Sequence, residues 1–145
     1  MLCEKSNFQG RINMGPYSTA EIISQFEKNP HCLYMTDAWV EDHGVQNPAI
    51  YDCFPKFLRD SLLGTGDTME NTISRMTGTT AERFNLRDRG LIRPGYYADL
   101  TVFCEEELKE AIPDQKKSFG IHKVWINGKP VLDEGEIDEE LVKSS

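Results

Sequence analysis

The sequence predicts an α/β chain, with helices gathered around one buried strand up to about Leu86 and short strands joined by glycine turns thereafter. Three observations predict it. Capping-box patterns open helical stretches at Ser18-Thr19-Ala20-Glu21, Asp67-Thr68-Met69-Glu70 and Thr79-Thr80-Ala81-Glu82. The apolar run Cys32-Leu33-Tyr34-Met35 shows no alternation, as a strand buried on both faces requires. After Arg87 the pattern shortens, and Ile121 to Ile126 alternates up to an Asn-Gly pair.

In the first predicted helix Ser18 and Glu21 satisfy orphan amides reciprocally, Ile22, Ile23 and Phe26 form the apolar face, and Asn29-Pro30 stops it. The buried strand Cys32–Met35 follows at once. A second helix is expected from Phe54-Pro55, where proline's missing amide is harmless, with Phe57, Leu58 and Leu62 on its face and Gly64 closing it. A third opens at Asp67 and buries Met69, Ile73 and Met76 before Gly78, and a short fourth runs from Thr79 to about Asn85-Leu86. Then come a turn at Asp88-Arg89-Gly90, a short strand at Leu91-Ile92, and a turn at Arg93-Pro94-Gly95. Asp99 to Phe103 is β-rich, Cys104 to Lys117 reads as charged connector, and Asn127-Gly128 turns Ile121–Ile126 back into Pro130-Val131-Leu132.

Composition narrows the function. At 145 residues there is room for one real core, and 39% hydrophobic with 28% charged residues is too apolar for a disordered chain. No stretch approaches the roughly 18 apolar residues of a membrane helix, so no membrane partner is expected. The start, Met1 to Asn7, shows neither a basic segment nor an apolar one, and a cytoplasmic location is the expectation. A net charge of −8 repels phosphate backbones, which argues against nucleic acid as a partner. The acidic blocks Glu105-Glu106-Glu107 and Asp133 to Glu140 read as solvated surface and tail. The four cysteines, without any CxxC, read as reduced thiols, buried or merely incidental, rather than disulfides.

Longer motifs then enter. Arg87-Asp88-Arg89-Gly90-Leu91-Ile92-Arg93-Pro94-Gly95-Tyr96-Tyr97-Ala98-Asp99-Leu100-Thr101-Val102-Phe103 resembles the signature that closes the barrel in the amidohydrolase superfamily, and Val124 to Val131 resembles its last hairpin. Asn29-Pro30-His31-Cys32-Leu33-Tyr34-Met35-Thr36-Asp37 is similar to the eighth barrel strand with its aspartate. Phe54 to Leu58 and Ile73 to Phe84 resemble the N-acyl-D-amino-acid deacylase (D-aminoacylase) branch. The resemblance runs from about residue 10 to 135. It implies the C-terminal portion of a (β/α)8 TIM-like barrel, with its last strand and closing helices, followed by the returning strands of a small β-sandwich. A full barrel needs about 250 residues, which this chain lacks. The implied division is 1–86 for the barrel portion, 87–135 for sandwich strands and 136–145 for an acidic tail.

By the same resemblance the chemistry is metal-dependent hydrolysis of the amide of N-acyl (D-)amino acids. Asp37 matches the family's general base, which takes a proton from metal-bound water and delivers it to the leaving nitrogen; it is also a possible metal ligand. Its position just after an apolar run agrees with catalytic groups at barrel strand ends. The cofactor implied is zinc or another divalent metal, with its main ligands on strands absent from this chain. His31, Cys32, His43 and Cys53 do not make such a site, since neighbours on a strand point to opposite faces. His122 alternates with Val124 and reads as a surface or sandwich residue.

The loop after Asp37 faces the expected catalytic mouth, which makes Trp39, His43, Asn47 and Tyr51 candidate substrate-binding residues. Core packing is the rival role for Trp39 and Tyr51, and turn capping for Asn47. Many branch members carry Ser-Asp-Gly and His-Pro-Arg where this chain has Thr36-Asp37-Ala38 and Asn47-Pro48-Ala49. The expected partner is the missing N-terminal barrel segment or a chain supplying it, with self-association through open edges as a consequence of its absence. The isolated chain is expected to be inactive. The alternatives are a non-catalytic split subunit or binding module that docks on such a partner, and a free-standing α+β binding domain.

Overall fold

A computed structural model describes residues 18–37, 49–110 and 120–137. Helix α1 (Ala20–Glu27) starts one residue later than the capping box at Ser18 suggested: the Thr19 hydroxyl accepts the Ile22 amide at 3.3 Å. Helix α2 (Ala49–Leu62) starts five residues before Phe54 and carries Pro55, buried, in its interior. Proline there forgoes one ladder bond but does not stop the helix, so reading it as a start was wrong. Helix α3 (Met69–Met76) is capped by Thr68, whose hydroxyl accepts the Asn71 amide at 3.3 Å, and α4 (Gly78–Arg83) follows directly. Gly64, at φ 73°, takes the left-handed turn that releases the chain from α2.

The expected strand Cys32–Met35 does not form among the described residues. Cys32 to Asp37 has no regular structure, Cys32, Leu33 and Tyr34 are half-buried, and Met35 is 69% exposed. A doubly buried parallel strand needs a ladder partner on each side, and the described residues supply none. Side chains hold the segment instead. Arg75, 4% exposed on α3, donates to the carbonyls of Glu27, Asn29 (2.9 Å) and Cys32 (3.4 Å), to the Tyr34 hydroxyl (2.8 Å) and to Asp67 (2.9 Å). One guanidinium thus ties the end of α1 and the following segment to α3. Tyr34 in turn rests on Phe57 of α2, ring centroids 4.4 Å apart.

The second half forms one antiparallel sheet in sequence order: β1 (Leu100–Phe103), β2 (Ile121–Ile126), β3 (Lys129–Asp133) and β4 (Glu136–Ile137). Asn127 (φ 52°) and Gly128 (φ 78°) make the tight turn expected of Asn-Gly, and Glu134 (46°) with Gly135 (90°) repeats it before β4. The acidic run therefore starts at the end of β3, makes this turn and continues into the edge strand β4. Leu91-Ile92 is not a strand, and Ile92 is 93% exposed. Within the expected connector lies helix α5 (Glu105–Glu110), whose single apolar residue, Leu108, is fully buried beneath Gly120. One apolar residue in six gives no periodic signal, which is why the pattern hid this helix.

Helix α2 packs on both α3 and α5, and Ser61 meets the buried Thr72 hydroxyl at 2.7 Å across the α2–α3 contact. Buried apolar residues among those described are few: Leu58, Ala81, Leu108 and Val131. Between the helices and the sheet runs an apolar groove of about 800 Å3 whose walls include Phe54, Leu58, Ile73, Leu91, Leu100 and Val124. Among the described residues no helix is long and apolar enough to cross a membrane.

Candidate functional site

Asp37 ends the Arg75-anchored segment. It is exposed and lies at φ 45°, in the left-handed region that aspartate tolerates better than most residues. Its neighbour Thr36 lines the groove and the Asp37 side chain does not. Tyr51, half-buried on α2, also lines the groove, and so does Cys53, whose thiol donates to the Met35 carbonyl at 3.3 Å. Burial pushes the Cys53 thiol pKa up, with Lys56 opposing, so this cysteine stays a protonated donor steadying Met35. Trp39, His43 and Asn47 lie outside the described residues.

A buried acidic group stands ten residues before Asp37 in the chain. Glu27, 7% exposed at the end of α1, has its carboxyl pKa raised by burial and by Asp60, while Lys56 at 3.8 Å pulls the other way. Its Oε2 sits where a Cβ on Gly66 would come within 3.0 Å, so the loop after α2 closes directly over the carboxyl. The role is structural: Glu27 and Arg75 together fix where the segment toward Asp37 leaves the helices.

Among the described residues no three metal-donor groups gather around Asp37. One such gathering exists elsewhere: Cys104, Glu107 and His122, with ligand atoms all within 4.8 Å of one another. Arg75 is a residue that sequence reasoning passed over. It shares a helical face with Thr72 and both are buried, which a polar pair three residues apart does not announce in the sequence.

The helices and the four-stranded antiparallel sheet define a mixed α/β body with an open apolar face. The family model described as "Amidohydrolase family" matches residues 48–132, and the chain belongs to that family. It is 35% identical over 92 residues to the D-aminoacylase of Alcaligenes xylosoxydans xylosoxydans, covering 61% of this chain and 19% of that one. It is 32% identical over 114 residues to the adenine deaminase of Oceanobacillus iheyensis, covering 79% of this chain and 17% of the relative. Among solved structures, the N-acyl-D-glutamate deacylase of Bordetella bronchiseptica, complexed with zinc and a phosphonate inhibitor, superposes with a TM-score of 0.65 at 25% identity. That superposition covers 81% of this chain and 26% of the deacylase. The chain spans about a fifth of the length of the curated relatives it matches.

Proposed function

We propose that this chain is the C-terminal portion of a metal-dependent hydrolase of N-acyl-D-amino acids, with Asp37 as its general base. The observation that carries the reading is the anchoring of Asp37: an exposed carboxylate in a left-handed conformation, at the tip of a segment pinned by a buried arginine beside an apolar groove. In this role Asp37 accepts a proton from the attacking water and returns it to the departing amine nitrogen. Thr36 and Tyr51, lining the groove, contact the substrate, together with Trp39, His43 and Asn47 of the loop.

The described residues assemble no ligand set at Asp37, so in this reading the metal is held by groups on the absent barrel strands. Those strands arrive from an upstream segment of the same polypeptide or from a partner chain, and the apolar groove supports such docking. The chain alone is inactive.

A chimera tests this: the chain replaces the matching C-terminal fifth of the D-aminoacylase relative, and turnover of N-acetyl-D-amino acids is measured. The expected result is no turnover by the chain alone, turnover by the chimera, and a loss in kcat of about 10²–10⁴-fold in its Asp37→Asn form with KM little changed. A chimera indifferent to Asp37→Asn removes the general-base role. Turnover by the isolated chain removes the claim of incompleteness.

A further inference from the structure

At the corner between β1 and α5, three chemically different donors converge. Cys104 directly follows β1, Glu107 lies three residues on in α5, and His122 is the second residue of β2, the strand paired with β1. The backbone holds the corner closed, because the Cys104 amide donates to the Gly120 carbonyl at 2.9 Å and the Leu108 amide to the Cys104 carbonyl at 3.0 Å. Leu108, fully buried, plugs the space beneath.

We propose that Cys104, Glu107 and His122 form a binding site for a zinc-class divalent transition metal, with Glu134 as the outer carboxylate behind the histidine. The donor atoms already lie within 4.8 Å of one another, and His122 Nε2 stands 3.0 Å from Glu107 Oε2. Bond lengths of about 2.0–2.3 Å place ligand pairs on a tetrahedral zinc roughly 3.2–3.8 Å apart, so only small side-chain adjustments are needed. Sulfur with imidazole selects zinc, cobalt or copper over magnesium and calcium, which take all-oxygen sets.

The other imidazole nitrogen carries the second argument. His122 Nδ1 is 3.3 Å from Glu134 Oε2, the arrangement in which a carboxylate holds a metal-bound histidine in one tautomer and orientation. Glu134 is itself placed by the β3–β4 turn and by the bond from its amide to the His122 carbonyl at 2.9 Å. A fourth ligand is water or Glu106, whose carboxylate already accepts from the Cys104 thiol at 3.3 Å. A simple ion-pair cluster of His122 with Glu107 and Glu134 has no use for the cysteine. That difference makes the proposal testable, and it does not depend on the role of Asp37.

The experiment titrates the whole metal-stripped 145-residue chain with cobalt(II), then zinc(II), under reducing conditions, following the thiolate-to-cobalt charge-transfer band. The expected result is one cobalt per chain, displaced by zinc, with the band lost in Cys104→Ser and unchanged in Cys53→Ser. Affinity falls at least tenfold in Glu107→Gln and His122→Gln, and about 10–100-fold in Glu134→Gln, an exposed position whose replacement leaves the strands intact. Far-UV circular dichroism reports whether each variant keeps its fold. Absence of a charge-transfer band in the folded chain, a band that survives Cys104→Ser, or affinity unchanged by both Glu107→Gln and Glu134→Gln overturns the site and leaves an ion-pair cluster only.

Discussion

The Asp99 carboxylate accepts the backbone amide of Asn127 at 2.8 Å, joining the entry of β1 to the turn between β2 and β3. Arg89 closes the link by donating to the other oxygen of Asp99 and to the Asn127 side chain at 2.6 Å, with its guanidinium 4.2 Å over the Tyr97 ring. The Gly128 amide adds a hydrogen bond to the Ala98 carbonyl at 2.9 Å. This gives a physical reason for two separate sequence motifs. The Arg87–Phe103 stretch and the Asn127-Gly128 turn are the two sides of one hydrogen-bonded clasp.

Asp99→Ala therefore removes the acceptor of both a charged and a backbone bond. Charge-assisted hydrogen bonds contribute about 1.5–3 kcal/mol, and partial exposure of Arg89 and Asp99 places the loss near the lower end. Burial pushes the Asp99 pKa up, but the Asn127 amide and Arg89 outweigh it, so the net shift is downward. A depressed carboxyl stabilises the fold above its ordinary value, and that stability disappears as pH falls through the lowered one. Denaturant unfolding followed by circular dichroism is expected to show the penalty of Asp99→Ala at pH 7 and its shrinkage in acid below about 3.9, the ordinary aspartate value.

Arg75→Met is expected to be costly for a different reason. It leaves several carbonyls of the 27–32 segment without their donor and takes the counter-charge from half-buried Asp67, which keeps the Thr68 amide and Asn71; the cost is expected at about 3 kcal/mol, the low end for breaking a buried ion pair. Arg75→Lys recovers little, because an ammonium on a flexible stem cannot reach acceptors spread around a planar fork. Hydrogen exchange adds a local readout: peptides covering Asn29 to Thr36 lose protection in Arg75→Lys, while those of the β2–β3 hairpin do not. Equal loss of protection across the sheet would count against a local clamp.

Much of this architecture was legible before any coordinates. The caps of α1 and α3, Thr19 and Thr68, stand one residue after the patterns at Ser18 and Asp67, and Asn127-Gly128 told its own turn type; the pattern at Thr79 does not cap α4, which already starts at Gly78 without a side-chain cap. The Cys32–Met35 strand was misread because an apolar run records a need for burial, not the presence of neighbours to bury it. Pro55 misled because a helix tolerates proline inside when packing on both sides repays the lost bond. Leu108 and the Cys104–Glu107–His122 corner were invisible for another reason. Their partners come together only when β1 and β2 pair, and no local period encodes a contact across the 14 residues between Glu107 and His122.

Glycines 90 and 95 form a matched pair that separates backbone conformation from contact. Both are left-handed, at φ 80° and 88°. A Cβ on Gly95 meets nothing within 4 Å, so Gly95→Ala is expected to cost only the conformational penalty of about 1–2 kcal/mol. A Cβ on Gly90 would stand 2.7 Å from the Ala81 methyl and 2.8 Å from the Thr77 carbonyl. Ala81 is among the few buried apolar residues, so Gly90→Ala must also lift the 86–92 loop off α4. Thermal unfolding is expected to order the variants wild type, Gly95→Ala, Gly90→Ala, and equal midpoints for the two variants would deny that the loop is seated on α4.

The last prediction concerns pH and the metal-stripped chain. Hydrogen bonds with Glu134 and then Glu107 raise the His122 pKa above its ordinary 6.5. Lys123, itself paired with Asp133 and Glu134, draws part of Glu134's charge away. A raised imidazole stabilises the folded form fully below 6.5, and that stability is lost as pH climbs through the raised value. The unfolding midpoint of the wild type relative to His122→Gln is therefore expected to be higher at about pH 5.5, below the ordinary imidazole value, than at about pH 8.5. Glu134→Gln narrows the difference by removing the largest single cause, its hydrogen bond, while Glu107 keeps its own hydrogen bond and charge. Zinc reverses the dependence, because a bound histidine must give up its proton, so saturating zinc stabilises more at pH 8 than at pH 5.5. A wild-type minus His122→Gln difference that is flat across this range without metal would show that the imidazole gains nothing from its two carboxylates.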